Sequence, residues 1–211
     1  MFEGSLDGGG AEERMAEVFL RRLSRWQAEQ QREAIADVYV EAYEGVPGAE
    51  YRDRQGFLRN FENAVQRADF DMVVADAHGM IGCLYGYRAA RTGDWWKGYR
   101  GVLPPEVEEG TAAGRVFMLT ELMVVPAYRR QGVSERLRTL LLSRHATDLI
   151  VSVIKRDDDL GREVLRSWGW TKLGEFDRGE SGSSAPPRRG ETGTPGPDEP
   201  VMWEGWMRPM P

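Results

Sequence analysis

The 211-residue sequence contains few of the residues that bind metal ions or form disulfides. Cys83 is the single cysteine, which excludes an intrachain disulfide, and His78 and His145 are too few for a Cys/His zinc module. No apolar stretch approaches the roughly 18 residues of a membrane-spanning helix. The segment Met1–Gly10 has no apolar core, so we do not expect a secretory signal there. The resulting expectation is a cytoplasmic protein without a metal site or a membrane segment.

The sequence also has no excess of basic residues. It contains 28 Lys and Arg against 34 Asp and Glu, which gives a net charge of −6 at pH 7. Domains that bind nucleic acid usually carry positive charge that neutralises phosphates. Hydrophobic residues make up 41% of the chain, which is enough for a sizeable core. These properties predict a soluble globular domain without a nucleic-acid partner.

Composition separates one folded region from two segments that have no apolar pattern. Residues 1–15 are rich in Gly and Glu, and we predict a flexible tail there. Residues 177–199 are rich in Gly, Pro and Ser and are predicted to form a flexible loop. The remaining chain, over residues 16–208, is predicted to be a single domain with that loop before its last strand.

Hydrophobic periodicity predicts alternating helices and strands across this domain. Ser24 and Gln27 have the spacing of a capping box, and apolar residues from Ile35 to Tyr43 recur on one face of a single helix. Residues 91–114 contain several Gly and Pro and are predicted to be a loop. Further helices are predicted near residues 57–68, 132–141 and 159–168. Predicted strands, which complete an α/β pattern, are residues 17–23, 71–76, 80–89, 115–125, 149–154, 170–176 and 201–207.

Residues 121–137 form the most informative stretch, because a strand there runs through a short loop into a helix. The first backbone N–H groups of a helix point outward, and the helix dipole favours an anion at that end. Gly132 allows close approach of a ligand to the backbone, and Arg129 and Arg130 add positive charge. These features predict a cradle for a phosphate or pyrophosphate. The spacing matches neither a P-loop nor a dinucleotide fingerprint.

This stretch resembles the signature of the GNAT superfamily of acyl-CoA-dependent acyltransferases. The family pattern Q/R-x-x-G-x-G/A is matched by Arg129–Ser134, with Ser134 in place of the usual Gly or Ala. The preceding Leu122–Pro126 is similar to the family's L-x-V-x-P strand end, and Trp168–Trp170 is similar to its Gly-aromatic end. The resemblance covers roughly residues 16–208, and the sequence is also similar to an actinobacterial group of the family whose substrates are uncertain.

The resemblance implies an α/β fold with a mixed, mostly antiparallel sheet flanked by helices. It also implies that the central strand separates from its neighbour to admit the acyl donor. Backbone groups of the strand would bind the pantetheine arm, and backbone N–H groups of the loop would bind the pyrophosphate. Asp158 occupies a position where members often carry Asn. The implied donor-binding residues are Met123, Val124, Val125, Arg129, Arg130, Gln131, Gly132, Val133, Ser134 and Asp158.

Glu121 lies on the central strand, where many family members place the general base that deprotonates the acceptor amine. The alternative is a structural carboxylate, either at the solvent face of the strand or paired with an arginine. Members often carry a tyrosine as general acid four residues before the Gly of the Gly-aromatic motif, but Leu165 occupies that position here. The leaving thiolate must then take its proton from another residue or from water.

Aromatic residues near the central strand are candidates for the acceptor pocket. Trp95 and Trp96 either form a wall of that pocket or close the edge of the core. Tyr85 either faces the cleft or packs across strands, which is the more common arrangement. We expect Cys83 to be a small buried residue and neither histidine to be catalytic. Asp157–Asp159 is expected to cap the following helix rather than to bind a metal ion.

The predicted function is transfer of an acyl group, acetyl in the first instance, from acyl-CoA to an amine by direct attack on the thioester. The acceptor is an amine on a small molecule or a protein. Two alternatives remain open: the donor is a phosphopantetheine thioester on an acyl carrier protein, or the domain is a non-catalytic acyl-CoA-binding or interaction module. A homodimer through the last strands is compatible with the resemblance.

Overall fold

Six α-helices and eight β-strands alternate along residues 17–44, 54–146, 148–177 and 202–208, the part of the chain described by a computed structural model. The predicted tail at residues 1–15 lies outside this part, as does the predicted loop at residues 177–199 except for its first residue, which ends a strand. The strands are β1 (Phe19–Leu23), β2 (Asp71–Asp76), β3 (Met80–Arg88), β4 (Tyr99–Arg100), β5 (Val116–Val124), β6 (Leu149–Lys155), β7 (Thr171–Asp177) and β8 (Met202–Met207). The helices are α1 (Arg25–Gln30), α2 (Arg32–Tyr43), α3 (Arg54–Val65), α4 (Pro105–Ala112), α5 (Val133–Leu142) and α6 (Asp159–Ser167).

The strands form one sheet in the order β1-β2-β3-β5-β6-β8-β7-β4. Every neighbouring pair is antiparallel except β5 and β6, which run parallel. The helix α5 makes the crossover that this parallel pair requires. The prediction of an α/β fold with a mixed, mostly antiparallel sheet flanked by helices is confirmed.

Side chains alternate between the two faces of the sheet along each strand. Helices cover both of these faces. On one face Tyr85 of β3 meets Phe61 of α3, with ring centroids 5.3 Å apart. On the other face Phe117 of β5 stacks on His145, which follows α5, at 3.8 Å. The strand β5 therefore lies at the centre of the sheet between two helical layers.

Local sequence signals predict several elements well. The Ser24 hydroxyl accepts a hydrogen bond from the Gln27 amide, and the Gln27 side chain accepts one from the Ser24 amide, which confirms the capping box. The bounds of β2 are as predicted. The single helix predicted through Tyr43 is instead divided at Gln31 into α1 and α2.

The prediction of a loop over residues 91–114 is wrong. The segment contains a 3₁₀ turn at Asp94–Trp96 as well as β4 and α4. Pro105 lies in the first turn of α4, where a missing backbone N–H is tolerated, and Val107 is fully buried. The Gly and Pro residues mark the ends of short elements rather than a continuous loop.

A cluster of buried and half-buried polar side chains joins β2 to the end of α5. His145 lies between the carboxylates of Asp71 and Asp148, at 3.2 and 2.9 Å. Arg22 pairs with Asp71, and Arg88 pairs with Asp148. Burial alone would raise the pKa of both carboxyls, but their hydrogen bonds with His145 and the arginines outweigh it and lower each pKa below its ordinary value. Both carboxyls are therefore ionised in the folded protein.

We expect the free energy of unfolding to fall as the pH is lowered through about 4. A carboxyl whose pKa is depressed by folding contributes stability above its unfolded pKa of about 3.9 and loses it as the pH falls through the folded pKa. The loss is on the order of 1–3 kcal/mol. Thermal unfolding from about pH 7 to about pH 3 should show that Asp71→Asn is less stable than the parent at neutral pH but less sensitive to acid. Equal acid sensitivity of the two proteins would contradict this, and Asp157→Asn, at an exposed position, is the matched control.

Candidate active site

The strand β5 pairs with β6 over only part of its length. The parallel register ends where Leu119 lies opposite Ser152. β5 continues to Val124, while β6 continues to Lys155 alongside β8. Within the described residues the two strands separate beyond Leu119, as the resemblance implied. We call residues 120–124 the open edge of β5.

A β-bulge lies where the paired part of β5 meets the open edge. Tyr85 of β3 is opposite Glu121, and the next residue, Gly86, is opposite Leu119, so Thr120 is an extra residue on β5. A bulge bends its strand and increases the local twist. This bulge therefore contributes to the separation from β6, and it shifts the alternation of the backbone by one residue.

The shifted alternation decides which backbone groups face the opening. The Val125 amide donates to the carbonyl of Ile81 in β3 at 2.9 Å. Hydrogen-bonding direction alternates along an antiparallel strand, so Met123 also directs its backbone groups toward β3. Leu122 and Val124 direct theirs toward the opening. Of the predicted residues Met123, Val124 and Val125, only Val124 therefore directs its backbone groups toward the opening, and Leu122 does so as well. Binding of the donor by this strand stays a prediction.

The open edge leads to the N-terminus of α5. Gly132 is the N-cap residue with a φ of 73°, and Arg130 also has a positive φ, of 58°. The Arg136 amide donates to the Gly132 carbonyl at 3.1 Å, so the amides of Val133–Glu135 precede the first bond of the helix. Among the described residues, no side chain caps this end. An anion here would meet outward amides and the positive end of the helix dipole.

The predicted cradle residues are divided between an exposed rim and a buried base. Arg130, Gln131 and Gly132 are exposed, and Ser134 is half-buried. Val133 packs in the core, where it is 2% exposed. A β-carbon added at Gly132 would meet no atom within 4 Å, so the space above this residue is open. Backbone amides and the side chain of Arg130 are thus the groups placed to bind an anion.

Arg129 directs its guanidinium toward two backbone carbonyls of the domain. Its Nε donates to the Val124 carbonyl at 3.0 Å, and its Nη2 donates to the Ala42 carbonyl near the end of α2. These two nitrogens form an edge of the guanidinium that could otherwise bind a phosphate in bidentate fashion. Arg129 therefore joins the open edge of β5 to α2, and its contact with the donor stays a prediction.

Glu121 lies half-buried directly after the bulge. Its Oε1 accepts a hydrogen bond of 2.7 Å from the Tyr43 hydroxyl in the last turn of α2. The same hydroxyl is 3.5 Å from the Leu122 carbonyl oxygen. Opposite residues of neighbouring strands share a face, so Glu121 projects on the same face as Tyr85. The carboxylate is therefore beside the opening, on the face covered by α2 and α3.

The charge of Glu121 acts on two buried neighbours. Burial first, and the Glu121 charge second, raise the pKa of Cys83 and of Tyr85 well above their ordinary values. Both groups are protonated at neutral pH. Cys83 is 0% exposed, which confirms the prediction of a small buried residue. A buried, protonated thiol does not act as a nucleophile.

Two of the three aromatic candidates for the acceptor pocket belong to the core. Tyr85 is 2% exposed and packs against Phe61, and Trp95 is 9% exposed with its Nε1 donating to the Thr111 hydroxyl. Both residues thus show the packing alternative, and a contact of either with an acceptor stays a prediction. Trp96 is half-buried against the ring of Trp95, and its contact with an acceptor stays a prediction.

Asp158 and Leu165 both contribute to the position of α6. Asp158 is its N-cap residue, and its Oδ1 accepts a hydrogen bond from the Gly161 amide at 2.9 Å. This confirms the helix-capping interpretation, while the predicted contact of Asp158 with the donor stays a prediction. Leu165 is 4% exposed in the core. An apolar side chain at this position leaves the general acid to be found elsewhere.

Tyr43 and Leu122 are the residues of the site that the sequence did not indicate. Tyr43 falls on the apolar face of α2, and periodicity alone counts such a tyrosine as core. Tyr43 is the last residue of α2, and this position at the helix end is the feature of the sequence that favours a hydroxyl outside the core. Leu122 depends on the bulge at Thr120, for which the sequence has no clear signal.

The described residues contain no group of three or more His, Cys, Asp or Glu side chains placed to hold a metal ion. Over the same ranges, none of the helices has the length and apolar character needed to cross a membrane.

No protein-family model and no curated protein matches the chain. Solved structures do match it. PH1933 from Pyrococcus horikoshii OT3 aligns over 91% of this chain and 98% of its own, with a TM-score of 0.56 and 16% identity. A Desulfovibrio desulfuricans protein assigned to the GNAT family of acetyltransferases aligns over 90% and 96%, with a TM-score of 0.54 and 11% identity. NAA60 from Arabidopsis thaliana, solved with a bisubstrate analogue, aligns over 91% and 97%, with a TM-score of 0.52 and 10% identity. At these identities the likeness shows the fold, which is that of GNAT acetyltransferases.

Proposed function

We propose that this protein transfers an acyl group, acetyl in the first instance, from acyl-CoA to an amine. The observation that carries the proposal is the open edge of β5, which leads to the N-terminus of α5. An extended pantetheine arm can pair with the amides of Leu122 and Val124 as an added strand would. The pyrophosphate that follows this arm in coenzyme A suits the outward amides of the helix end.

Glu121 is the proposed general base. Most amines are protonated at neutral pH, so a proton must leave before the nitrogen can attack the thioester carbonyl. Glu121 takes this proton directly or through a water molecule. The carbonyl oxygen becomes negative in the tetrahedral intermediate, and an amide of the open edge donates a hydrogen bond to it. Transfer is direct, because the buried thiol of Cys83 does not form an acyl-enzyme.

Release of free thiol from acetyl-CoA, measured with a panel of amines, tests the proposal. The panel contains a polyamine, an aminoglycoside and a peptide with a free N-terminus, which represent small-molecule and protein acceptors. We expect amine-dependent release with at least one member, and mass spectrometry should show the acetylated product. Transfer from an acylated carrier protein alone would favour that donor instead. Binding of acetyl-CoA without turnover of any amine would favour a non-catalytic acyl-CoA-binding module.

A further inference from the structure

Cleavage of a thioester leaves a thiolate that has to be protonated. Leu165 is buried in the core and has no proton to give. Thr120, in the bulge of β5, turns its hydroxyl toward the Met118 carbonyl at 3.4 Å. The hydroxyl of Tyr43 reaches the open edge itself, which makes it the phenol to consider as an acid.

The position of this hydroxyl joins the candidate base to the opening. It lies 2.7 Å from Oε1 of Glu121 and 3.5 Å from the carbonyl oxygen of Leu122. The backbone groups of Leu122 face the opening, so a thioester that pairs with this edge lies next to the phenol. Tyr43 thus stands between Glu121 and the place where the sulfur would leave.

The surroundings of Tyr43 fix the hydroxyl in this position. Arg129 donates to the carbonyl of Ala42, the preceding residue, and also to the carbonyl of Val124 on the open edge. The ring of Tyr39 packs against the Tyr43 ring with centroids 5.1 Å apart. The end of α2 is therefore tied directly to the strand that would bind the donor, and the phenol is pre-positioned for proton transfer.

We propose that Tyr43 is the general acid of the reaction and that it regains its proton from Glu121. This proposal rests on the proposed function. Glu121 first takes a proton from the acceptor ammonium, and the freed amine forms the new C–N bond. As the C–S bond breaks, the Tyr43 proton moves to sulfur, and the phenolate then takes the proton held by Glu121. The nitrogen loses its remaining extra proton to water, so one ammonium and one thioester yield one amide, one thiol and one released proton.

Titration of the thiol of bound CoA tests this role without an acceptor. A hydrogen bond from Tyr43 stabilises the thiolate, so Tyr43→Phe should raise the pKa of the bound thiol by about one to two units relative to the parent. Ultraviolet absorbance of the thiolate during a pH titration of each complex measures this shift. Tyr39→Phe, which removes a hydroxyl from the adjacent ring, should leave the pKa of the bound thiol at its value in the parent.

Turnover supplies a second readout that a structural role would not produce. Tyr43→Phe should lower kcat with acetyl-CoA about 100-fold at unchanged donor affinity. With an S-acetyl aryl thioester, whose thiolate leaves without a proton, parent and variant rates should differ by less than about threefold. An equal deficit with both donors would mean that the hydroxyl only supports the structure and would overturn the proposal.

The outcomes separate this proposal from the proposed function. Equal thiol pKa values in the parent and Tyr43→Phe complexes would overturn the role of Tyr43 and leave acyl transfer intact. Failure of the parent to bind CoA would overturn both, because no thiolate would then form beside Tyr43.

Discussion

Replacing Glu121 with glutamine is expected to lower turnover with acetyl-CoA by about 100-fold or more, with little change in donor affinity. Glutamine has nearly the same shape, and its side-chain oxygen can still accept the hydrogen bond from Tyr43. The substitution therefore removes the ability to take a proton and retains the local geometry. The binding groups, which are the backbone of the open edge and the end of α5, are unchanged.

The pH dependence of the rate distinguishes a base from a structural carboxylate. The Glu121→Gln deficit should be largest near about pH 6 and shrink toward about pH 9, because the acceptor amine loses its own proton as the pH rises. The rate is measured with whichever amine of the panel is acetylated. Equal rates for Glu121→Gln and the parent across this range would mean that Glu121 is structural. Glu109→Gln, at an exposed position of α4, is the matched control and should behave as the parent.

Replacing Gly132 with aspartate is expected to weaken donor binding by about 100-fold. The carboxylate would stand at the N-terminus of α5, where the proposed site takes a pyrophosphate, and like charges at close range cost several kcal/mol. The side chain itself has room, because a β-carbon at Gly132 meets no atom within 4 Å. The expected loss is therefore one of electrostatics rather than of folding.

Gly132→Asn is the matched variant for this experiment. Asparagine has the same size as aspartate, and both tolerate the left-handed conformation that Gly132 adopts, so the pair differs chiefly in charge. Calorimetry with acetyl-CoA should show a much smaller loss for Gly132→Asn, and thermal unfolding should show that both variants fold. Similar affinities of the two variants would contradict a pyrophosphate at this helix end.

Elements with a local signal could be predicted from the sequence. The capping box at Ser24 fixes the start of α1 through two hydrogen bonds within one turn. The glycine at position 132 marks the start of α5 for a similar reason, since its backbone conformation is local. The helix α4 was not predicted because Gly and Pro residues in and around it obscure a short amphipathic segment, which buries Val107, Gly110 and Thr111.

The details of the site depend on contacts between distant parts of the chain. Carbonyl groups on β5 and α2 set the direction of the Arg129 side chain. Contacts with Phe176 and Thr111 hold Trp95 in the core. The bulge at Thr120 changes which residues of the open edge direct their backbone groups toward the opening and which direct them toward β3. Alternation read from the sequence is correct up to such a bulge and off by one residue after it.

The proposed binding site of the acyl donor is the open edge of β5 together with the N-terminus of α5. Titration of isotope-labelled protein with acetyl-CoA, followed by amide NMR, tests this binding site directly. We expect shifted amide signals and slowed hydrogen exchange at Leu122, Val124 and Val133–Glu135, with smaller changes at Val125, whose amide is already bonded to Ile81. Binding that leaves these amides unaffected, or no binding at all, would contradict it.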